Sequence, residues 1–244
     1  MTNARSLTPD AVLPPLLHLQ LIRDPQSPTG QAHVYLTAAD ENHIVVLPGA
    51  NYQLCPSDIP DLVGVTHLPL QLETPTPTVQ TLALMGRSQH VTVVLNASPA
   101  TEVTPELLRV VDLLIVNEGE ARDLAQTPAE PPLHQVAATL CRSGPSVVIT
   151  RGAHGSLALH NDPLIDTSGY PVKAVSTVGA GDAFTGTFVA ALSLGTPWAE
   201  ALIHANAAGA LTCTRPGALE AQPFWPELTA FLQSQGDPNE KIHY

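Results

Sequence analysis

The alternation of short apolar runs with helical windows is the feature that most constrains the fold of this chain. From His67 onward, apolar runs of strand length are separated by windows with helical periodicity. The expected strands cover 68–72, 91–96, 113–117 and 147–150, and the expected helices cover 79–88, 105–110, 120–125 and 134–142. Short apolar runs separated by helices are typical of a parallel sheet covered on both faces. The pattern predicts an α/β protein with a mostly parallel central sheet.

Two hairpins are predicted outside these strands. The first joins runs 32–37 and 44–47 around the turn residues 40–42, and the second joins 157–160 to 171–175. Before residue 29, repeated prolines leave a single run with strand-like alternation, at 16–22. We therefore expect an irregular beginning that contains one strand.

Three helices are expected to close the chain, at 182–194, 197–212 and 223–233. Thr196 is predicted as the N-cap of the second helix, because its hydroxyl can accept a hydrogen bond from a free helix amide. Pro197 is predicted at the first helical position, where the N–H that proline lacks would have no helical partner. The polar tail after Gly236 is expected to fray.

Polar side chains follow several of the predicted strands directly. Glu73 follows 68–72, Asn117 ends 113–117 and Thr150 ends 147–150. In open α/β sheets, ligands bind outside the carboxyl ends of the strands. The three residues are therefore predicted to share one edge of the sheet, where a ligand site would form.

A glycine-bearing loop, 175–182, leads directly into the first of the closing helices. The first amides of a helix have no partner within the helix, and its dipole adds partial positive charge there. Glycines on either side of Ala180 let the backbone approach an anion such as a phosphate. Asp182, beside that anion site, suits the role of a base better than that of a ligand. The structural alternative is a tight turn with an aspartate near a helix start.

Composition excludes several functional classes. The formal charge is −12, with only two lysines, which argues against binding to nucleic acid or to an anionic membrane. No apolar run approaches the ~20 residues of a membrane span, and no signal peptide is expected. Three unpatterned cysteines suit a reducing cytoplasm. The histidines form no His-Glu-x-x-His pair and no Cys-x-x-Cys occurs, so no zinc site is predicted.

Several segments resemble the ribokinase family of PfkB-type sugar kinases. They are TVGAGDAF at 177–184, VNEGEA at 116–121, ITRGAHG at 149–155, LPGAN at 47–51 and TRPGA at 214–218. The likeness runs in the family's order from about residue 29 to about residue 231. It implies a single domain over 1–244 with a three-layer α/β/α sandwich and a partial β lid, of which 31–50 would be a residual hairpin. It also implies ATP-dependent phosphorylation of a sugar hydroxyl, with D-ribose as the first expected substrate.

The resemblance assigns roles to individual residues. Asp182 would be the catalytic base that also contacts the sugar, and the backbone of Gly179, Ala180 and Gly181 would stabilise the transferring phosphoryl group. Glu73 would bind the sugar, and Glu120 would hold Mg²⁺ through water. The implied ATP-binding residues are Asn117, Thr150, Arg151, Gly152, Ala153, His154, Gly155, Gly181 and Asn206.

Bland alternatives accompany most of these assignments. Asn117 and Glu120 could be a strand-end amide and a helix-start carboxylate, and 150–155 could be a plain turn. His154 could be an exposed loop residue, Asn206 a helix contact and Glu73 a solvated acid.

The sequence departs from the family's pattern in two places. Ser176 stands where ribokinases usually have the aspartate that binds an activating potassium ion, so one charge is lost. The remaining implied K⁺ ligands are chiefly carbonyls, at Val178, Thr212, Arg215, Gly217 and Ala221. Nothing before residue 29 resembles the family's Gly-x-x-Asn-x-Asp strand or its Gly-Gly-x-x-x-Asn segment.

We therefore expect an N-terminally incomplete domain that lacks a central strand and half of its lid. The alternatives to an active kinase are a nucleotide-binding pseudokinase, which could complete its sheet with a partner chain, and a fragment with a wrongly chosen start. Dimerisation through the lid is common in this family, so a homodimer is one implied assembly.

Overall fold

A computed structural model describes residues 22–36, 42–127, 131–161, 163–236 and 241–243. The strands are β1 Gln31–Leu36, β2 Asn42–Leu47, β3 His67–Gln71, β4 Thr92–Asn96, β5 Leu113–Asn117, β6 Ser146–Thr150, β7 Ser156–Leu159, β8 Leu164–Thr167 and β9 Ile242–His243. The helices are α1 Thr76–Ser88, α2 Pro105–Leu108, α3 Glu118–Ala125, α4 Leu133–Cys141, α5 Ala180–Ser193, α6 Trp198–Thr212 and α7 Trp225–Ser234.

The main sheet has the order β3-β4-β5-β6-β7-β8-β9. Strands β3 to β6 run parallel, and β6 to β9 pair antiparallel. The four strands predicted from the apolar runs are all present within two residues of their expected ends. The predicted α/β class with a mostly parallel sheet is confirmed.

Alternation along the central strands divides the core into two layers. On β5, Leu114 and Val116 belong to the cluster beneath α1 to α4, whereas Leu113 and Ile115 belong to the cluster beneath α5 and α6. Successive strand residues point to opposite faces, so an uninterrupted apolar run buries both sides of the sheet. The result is the predicted three-layer α/β/α sandwich.

Strand β3 is the open edge of the sheet within the described residues. It pairs only with β4, and the sheet has no interior gap between β3 and β9. Pro69 lies in β3, where a missing N–H is tolerated because an edge strand has one unpaired side. Within the described residues, this side of the sheet is therefore an unpaired edge.

The first predicted hairpin forms as a separate two-stranded sheet. Strand β1 pairs antiparallel with β2, with Gln31 opposite Leu47 and Leu36 opposite Asn42. On β2, Val45, Val46 and Leu47 are each about half exposed, at 50%, 46% and 52%. The expected turn at 40–42 lies largely outside the described residues, as does nearly all of the expected strand at 16–22.

The second strand of the second predicted hairpin is wrong. Strand β7 pairs with β8, Leu164–Thr167, and not with 171–175. The 171–175 segment forms no strand, and the amides of Val175 and Ser176 donate to Cys213 O instead. It is held by the end of α6 and not by a sheet.

The closing helices also differ in detail from their prediction. Helix α5 begins two residues earlier than expected, at Ala180. Thr196 is not the N-cap of α6, because Pro197 has extended ψ (146°) and takes the cap position without a side-chain hydrogen bond. The tail is not wholly frayed, since Ile242 and His243 pair with Thr167 and Asp166 as β9.

Candidate active site

The N-terminus of α5 presents backbone amides without helical partners. Gly179 is the N-cap, with φ of +80°. A Cβ at this position would lie 3.1 Å from both Cα and O of Ala218, so glycine is required on two counts. Ala180 N–H donates to Thr177 O at 3.3 Å, whereas the N–H groups of Gly181 and Asp182 donate to no backbone carbonyl of the described residues. These two donors and the positive end of the helix dipole lie where the sequence predicts an anion site.

A cavity of about 510 Å³ opens beside this helix start. Its walls come from the loop after β6, the segment 169–174, the first turns of α5 and the last turns of α6. Of the residues predicted for nucleotide binding, it contains Thr150, Gly152, Ala153, Gly155, Gly181 and Asn206. The structure thus brings together the β6 loop and the α5 N-terminus, as the resemblance implied.

Two backbone segments meet unusually closely at the rim of this cavity. A Cβ on Gly155 would lie 2.0 Å from Thr167 O, and one on Gly169 would lie 2.2 Å from Ala153 O. No side chain fits between these segments. The glycines therefore let the loop after β6 pack directly on the end of β8.

The apolar wall of the cavity was not predicted. It includes Tyr170, Pro171, Val172, Ala174 and Cys213. The sequence contains little sign of this role, because the segment resembles a strand and Cys213 follows a helical window. Pro171, which lacks the N–H that a central strand would use, is the only sequence feature of this segment that disfavours a strand.

Asp182 lies next to the cavity and not in its wall. Its carboxyl group makes no hydrogen bond or ion pair with another described residue, and solvent reaches the residue. Partial burial of the carboxyl nevertheless raises its pKa above the ordinary value of 3.8. Thr185, one turn further along α5, accepts from Asn96 Nδ2 at 3.4 Å, which ties this face of the helix to the carboxyl end of β4.

Asn117 and Glu120 form a reciprocal capping box at the start of α3. Asn117 Oδ1 accepts from Glu120 N–H, and Glu120 Oε2 accepts from Asn117 N–H, both at 2.9 Å. The pair therefore has a structural role, while Nδ2 of Asn117 and Oε1 of Glu120 remain free for a ligand. Asn117 is opposite Thr150 in the β5–β6 register but does not line the cavity.

Arg151 is placed differently from its prediction as a nucleotide ligand. Its guanidinium forms a bidentate ion pair with Asp166 and also donates to the carbonyls of His154, Ser156 and Thr167. These bonds use both terminal nitrogens of the guanidinium to hold the β6 loop against the β7–β8 hairpin, whereas the buried Nε has no hydrogen-bond partner in the described residues. Neither Arg151 nor the exposed His154 lines the cavity.

Glu73 lies in a different cavity, of about 320 Å³. Its walls include Val46 and Tyr52 from the β1–β2 hairpin region and Ser98 and Glu102 after β4. The strand-end residues thus share one edge of the sheet, but Glu73 and Thr150 face separate cavities.

The loops predicted to hold K⁺ lie side by side. Val175 and Ser176 donate to Cys213 O, and Gly179 approaches Ala218. Ser176 Oγ accepts from Val178 N–H at 3.3 Å. In the loops and turns of the described residues, no backbone N–H donates to the carbonyls of Val178, Arg215, Gly217 or Ala221. Thr212 O, in contrast, accepts from Arg215 N–H at 3.5 Å. Among the described residues, no cluster of three or more His, Cys, Asp or Glu side chains could hold a metal ion.

Two unpartnered helix-start amides, a cavity at the carboxyl ends of a parallel sheet and an adjacent free carboxylate are the parts that a phosphoryl-transfer enzyme requires. Residues 18–225 match the family model described as pfkB family carbohydrate kinase. The chain therefore belongs to this family, and the resemblance noted in the sequence is confirmed.

Ribokinases are among its most similar relatives. The ribokinase of Haemophilus influenzae is 33% identical over 215 residues, which is 85% of this chain and 70% of that protein. The ribokinase of Staphylococcus aureus is 30% identical over 216 residues, 85% of this chain and 71% of that protein.

Solved structures support the same fold. The ribokinase of Thermotoga maritima has a TM-score of 0.76 and 30% identity, covering 85% of this chain and 70% of its own. The Arabidopsis thaliana ribokinase complexed with ribose and ATP has a TM-score of 0.77 and 28% identity, with the same coverage. In the described residues, no helix is long and apolar enough to span a membrane.

Proposed function

We propose that this chain transfers the terminal phosphoryl group of ATP to a sugar hydroxyl, with D-ribose as substrate and ribose 5-phosphate as product. The observation that carries the proposal is the pair of free amides at the start of α5, beside both the large cavity and the unpaired carboxylate of Asp182. The family and the ribokinase complexed with ribose and ATP support the same chemistry.

The nucleotide binds in the 510 Å³ cavity. Its base lies toward the apolar wall and Asn206, and its phosphates lie toward Thr150 and the α5 N-terminus. Negative charge on the transferring phosphoryl oxygens is stabilised by the amides of Gly181 and Asp182, which are fixed before the reaction begins.

Asp182 orients the acceptor hydroxyl and takes its proton as the oxygen attacks phosphorus. A carboxylate with a raised pKa is a better base than an ordinary aspartate, because its proton affinity lies closer to the working pH. Its position beside the proposed nucleotide cavity, and not in its wall, supports a role toward the acceptor sugar. Glu73 binds the sugar from the second cavity, whose wall includes residues of the 31–50 hairpin region.

Metal ions fit this donor set in different ways. The free oxygen of Glu120 would hold the water shell of a magnesium ion bound with the nucleotide, and that ion would neutralise phosphate charge. Neutral carbonyls around Ser176 suit a monovalent cation, so K⁺ binds more weakly here than where an aspartate contributes a charge. We further propose that residues 1–244 form a single domain and that the chain acts in the cytoplasm. We also propose that two copies form a homodimer through the β1–β2 hairpin.

A coupled assay of ATP turnover tests the proposed activity. ADP release is measured with D-ribose, 2-deoxyribose and fructose, and without sugar, in Mg²⁺ with and without K⁺. Ribose-dependent ADP release is expected. ATP binding by calorimetry that is unaffected by any sugar, with no turnover, would instead favour a nucleotide-binding pseudokinase.

A further inference from the structure

Three buried polar side chains form a connected network behind the cavity wall. Thr167 and Ser156 are fully buried, and Asn206 is 8% exposed. Thr167 Oγ1 lies 2.8 Å from Ser156 Oγ and 3.1 Å from Ser156 O, and Asn206 Nδ2 lies 2.9 Å from Thr167 Oγ1. Asn206 alone of the three lines the cavity.

Hydrogen-bond accounting fixes the direction of every bond in this network. A threonine hydroxyl has one donor and two acceptor sites. Its proton goes to Ser156 O, because a carbonyl can only accept. Thr167 Oγ1 must then accept both other contacts, so Ser156 Oγ donates to it and the group that Asn206 presents must be its NH₂ and not its carbonyl.

The opposite end of the Asn206 amide follows from this. With Nδ2 directed to Thr167, Oδ1 is left without a hydrogen bond to any described residue. Asn206 Oδ1 is not one of the fully buried polar atoms without a partner in the described residues. Since it has no partner, it must therefore be partly accessible. Because the residue lines the cavity, this hydrogen-bond acceptor is available to a ligand in the cavity.

We propose that Thr167 is a positioning residue that locks the Asn206 amide and thereby makes the cavity select a 6-aminopurine over a 6-oxopurine. This inference rests on the proposed nucleotide binding. An acceptor in the wall is satisfied by the amino group of adenine, whereas the carbonyl oxygen of hypoxanthine or guanine would face it unpaired. Sites built around one hydrogen-bonding group reject analogues that lack its partner.

Binding of ATP and inosine triphosphate to the full chain tests this role. The two nucleotides differ at the 6-position of the purine, where an amino group is replaced by an oxo group. Calorimetry of the wild type is expected to give at least about tenfold tighter binding of ATP. Thr167→Val keeps the shape but removes the hydroxyl, so the amide can turn over, and the preference should shrink to about threefold or less.

Control variants separate positioning from a general loss of packing. Thr78 is a matched threonine, 3% exposed, whose Oγ1 donates to Leu54 O far from the network in sequence. Thr78→Val should keep the wild-type preference, and so should Thr167→Ser, which restores the hydroxyl. If Thr167→Val does not fold, Thr167→Ala is measured in its place, with the same expected loss of preference.

The outcomes distinguish this inference from the proposed function. A wild type that binds neither nucleotide removes both. A wild type that binds ATP and inosine triphosphate equally, or a Thr167→Val chain that keeps the full preference, overturns the positioning role while the kinase proposal stands.

Discussion

Asn117 and Glu120 hold each other through two backbone-to-side-chain hydrogen bonds of 2.9 Å, one in each direction, at the point where β5 becomes α3. The pair satisfies one free amide of the helix start and one of the preceding residue. It also leaves one polar atom of each side chain open. The capping role therefore leaves room for the proposed ligand-binding role at these positions, and substitution can separate the two.

Asn117→Ser should retain the cap but lose the amide donor. A serine oxygen can still accept from Glu120 N–H, so unfolding by urea should change little, whereas Asn117→Ala should cost about 1 kcal/mol. If Nδ2 contacts phosphate oxygens, both variants raise KM for ATP. An Asn117→Ser chain with unchanged KM would assign this residue to capping alone.

Gly179→Ala should both destabilise the chain and weaken nucleotide binding. Alanine at φ of +80° is strained, and its Cβ would press on Ala218, so we expect a loss of about 1–3 kcal/mol in chemical unfolding. Gly186, in the interior of α5 with no atom within 4 Å of an added Cβ, is the control. Gly186→Ala should stabilise by up to about 1 kcal/mol. Equal effects of the two substitutions would contradict the strained cap.

Arg151→Met should loosen the loop that forms one wall of the cavity. The Arg151 and Asp166 side chains are only 17% and 32% exposed, and the guanidinium also donates to three carbonyls, so its removal should cost about 1–3 kcal/mol. Arg109→Met is the control, because it removes an ion pair whose side chains, Arg109 and Glu106, are 67% and 61% exposed. Its loss should lower the free energy of unfolding by under about 1 kcal/mol. Thermal unfolding of the two variants compares them. A direct phosphate ligand would instead show a large rise in KM for ATP without loss of stability.

Asp182 should make both activity and stability depend on pH. Since burial raises its pKa, kcat/KM should fall as pH decreases through that raised value, because the base becomes protonated. For stability the sign is opposite. A folded pKa above the unfolded value means that the chain loses stability as pH rises through this window.

The stability effect can be measured with Asp182→Asn. At pH 7 the variant should unfold at a slightly higher temperature than the wild type, because it lacks a partly desolvated charge. The difference should vanish well below pH 3.8, the ordinary pKa, where the wild-type carboxyl is protonated in both the folded and the unfolded state. A less stable variant at pH 7 would show that the helix dipole outweighs burial at this position.

The parts of the fold that were predictable from sequence are those set by continuous burial. Runs such as Leu113–Asn117 are apolar on both faces of the sheet, and few structures besides a covered parallel strand produce that pattern. Strand β8 was missed because Leu164–Thr167 is short and polar at Asp166, whose carboxylate is paired with Arg151 only in three dimensions. Strand β9 depends on pairing between residues about 75 positions apart, which no local pattern reports.

The candidate site was predictable where backbone chemistry forms it. The glycines of 179–181 and the strand-end residue Thr150 are found at or beside the cavity, because helix starts and strand ends have fixed geometry. Side-chain roles were less accessible. Arg151 has the chemistry of a phosphate ligand, yet the nearby Asp166 and three carbonyls contact its two terminal nitrogens. The apolar wall at Tyr170 and Val172 has no sequence signature except Pro171, which disfavours a strand there.

The most direct test of phosphoryl transfer at the α5 N-terminus is the turnover rate of Asp182→Asn, measured beside its affinity for ATP. The variant keeps the size of the side chain and the backbone amides but cannot accept a proton. We predict a fall in kcat of about 10²–10⁴-fold with ribose, and an ATP Kd by calorimetry within about threefold of the wild type. Turnover within about threefold of the wild type would contradict the assignment of Asp182 as the base at this helix start.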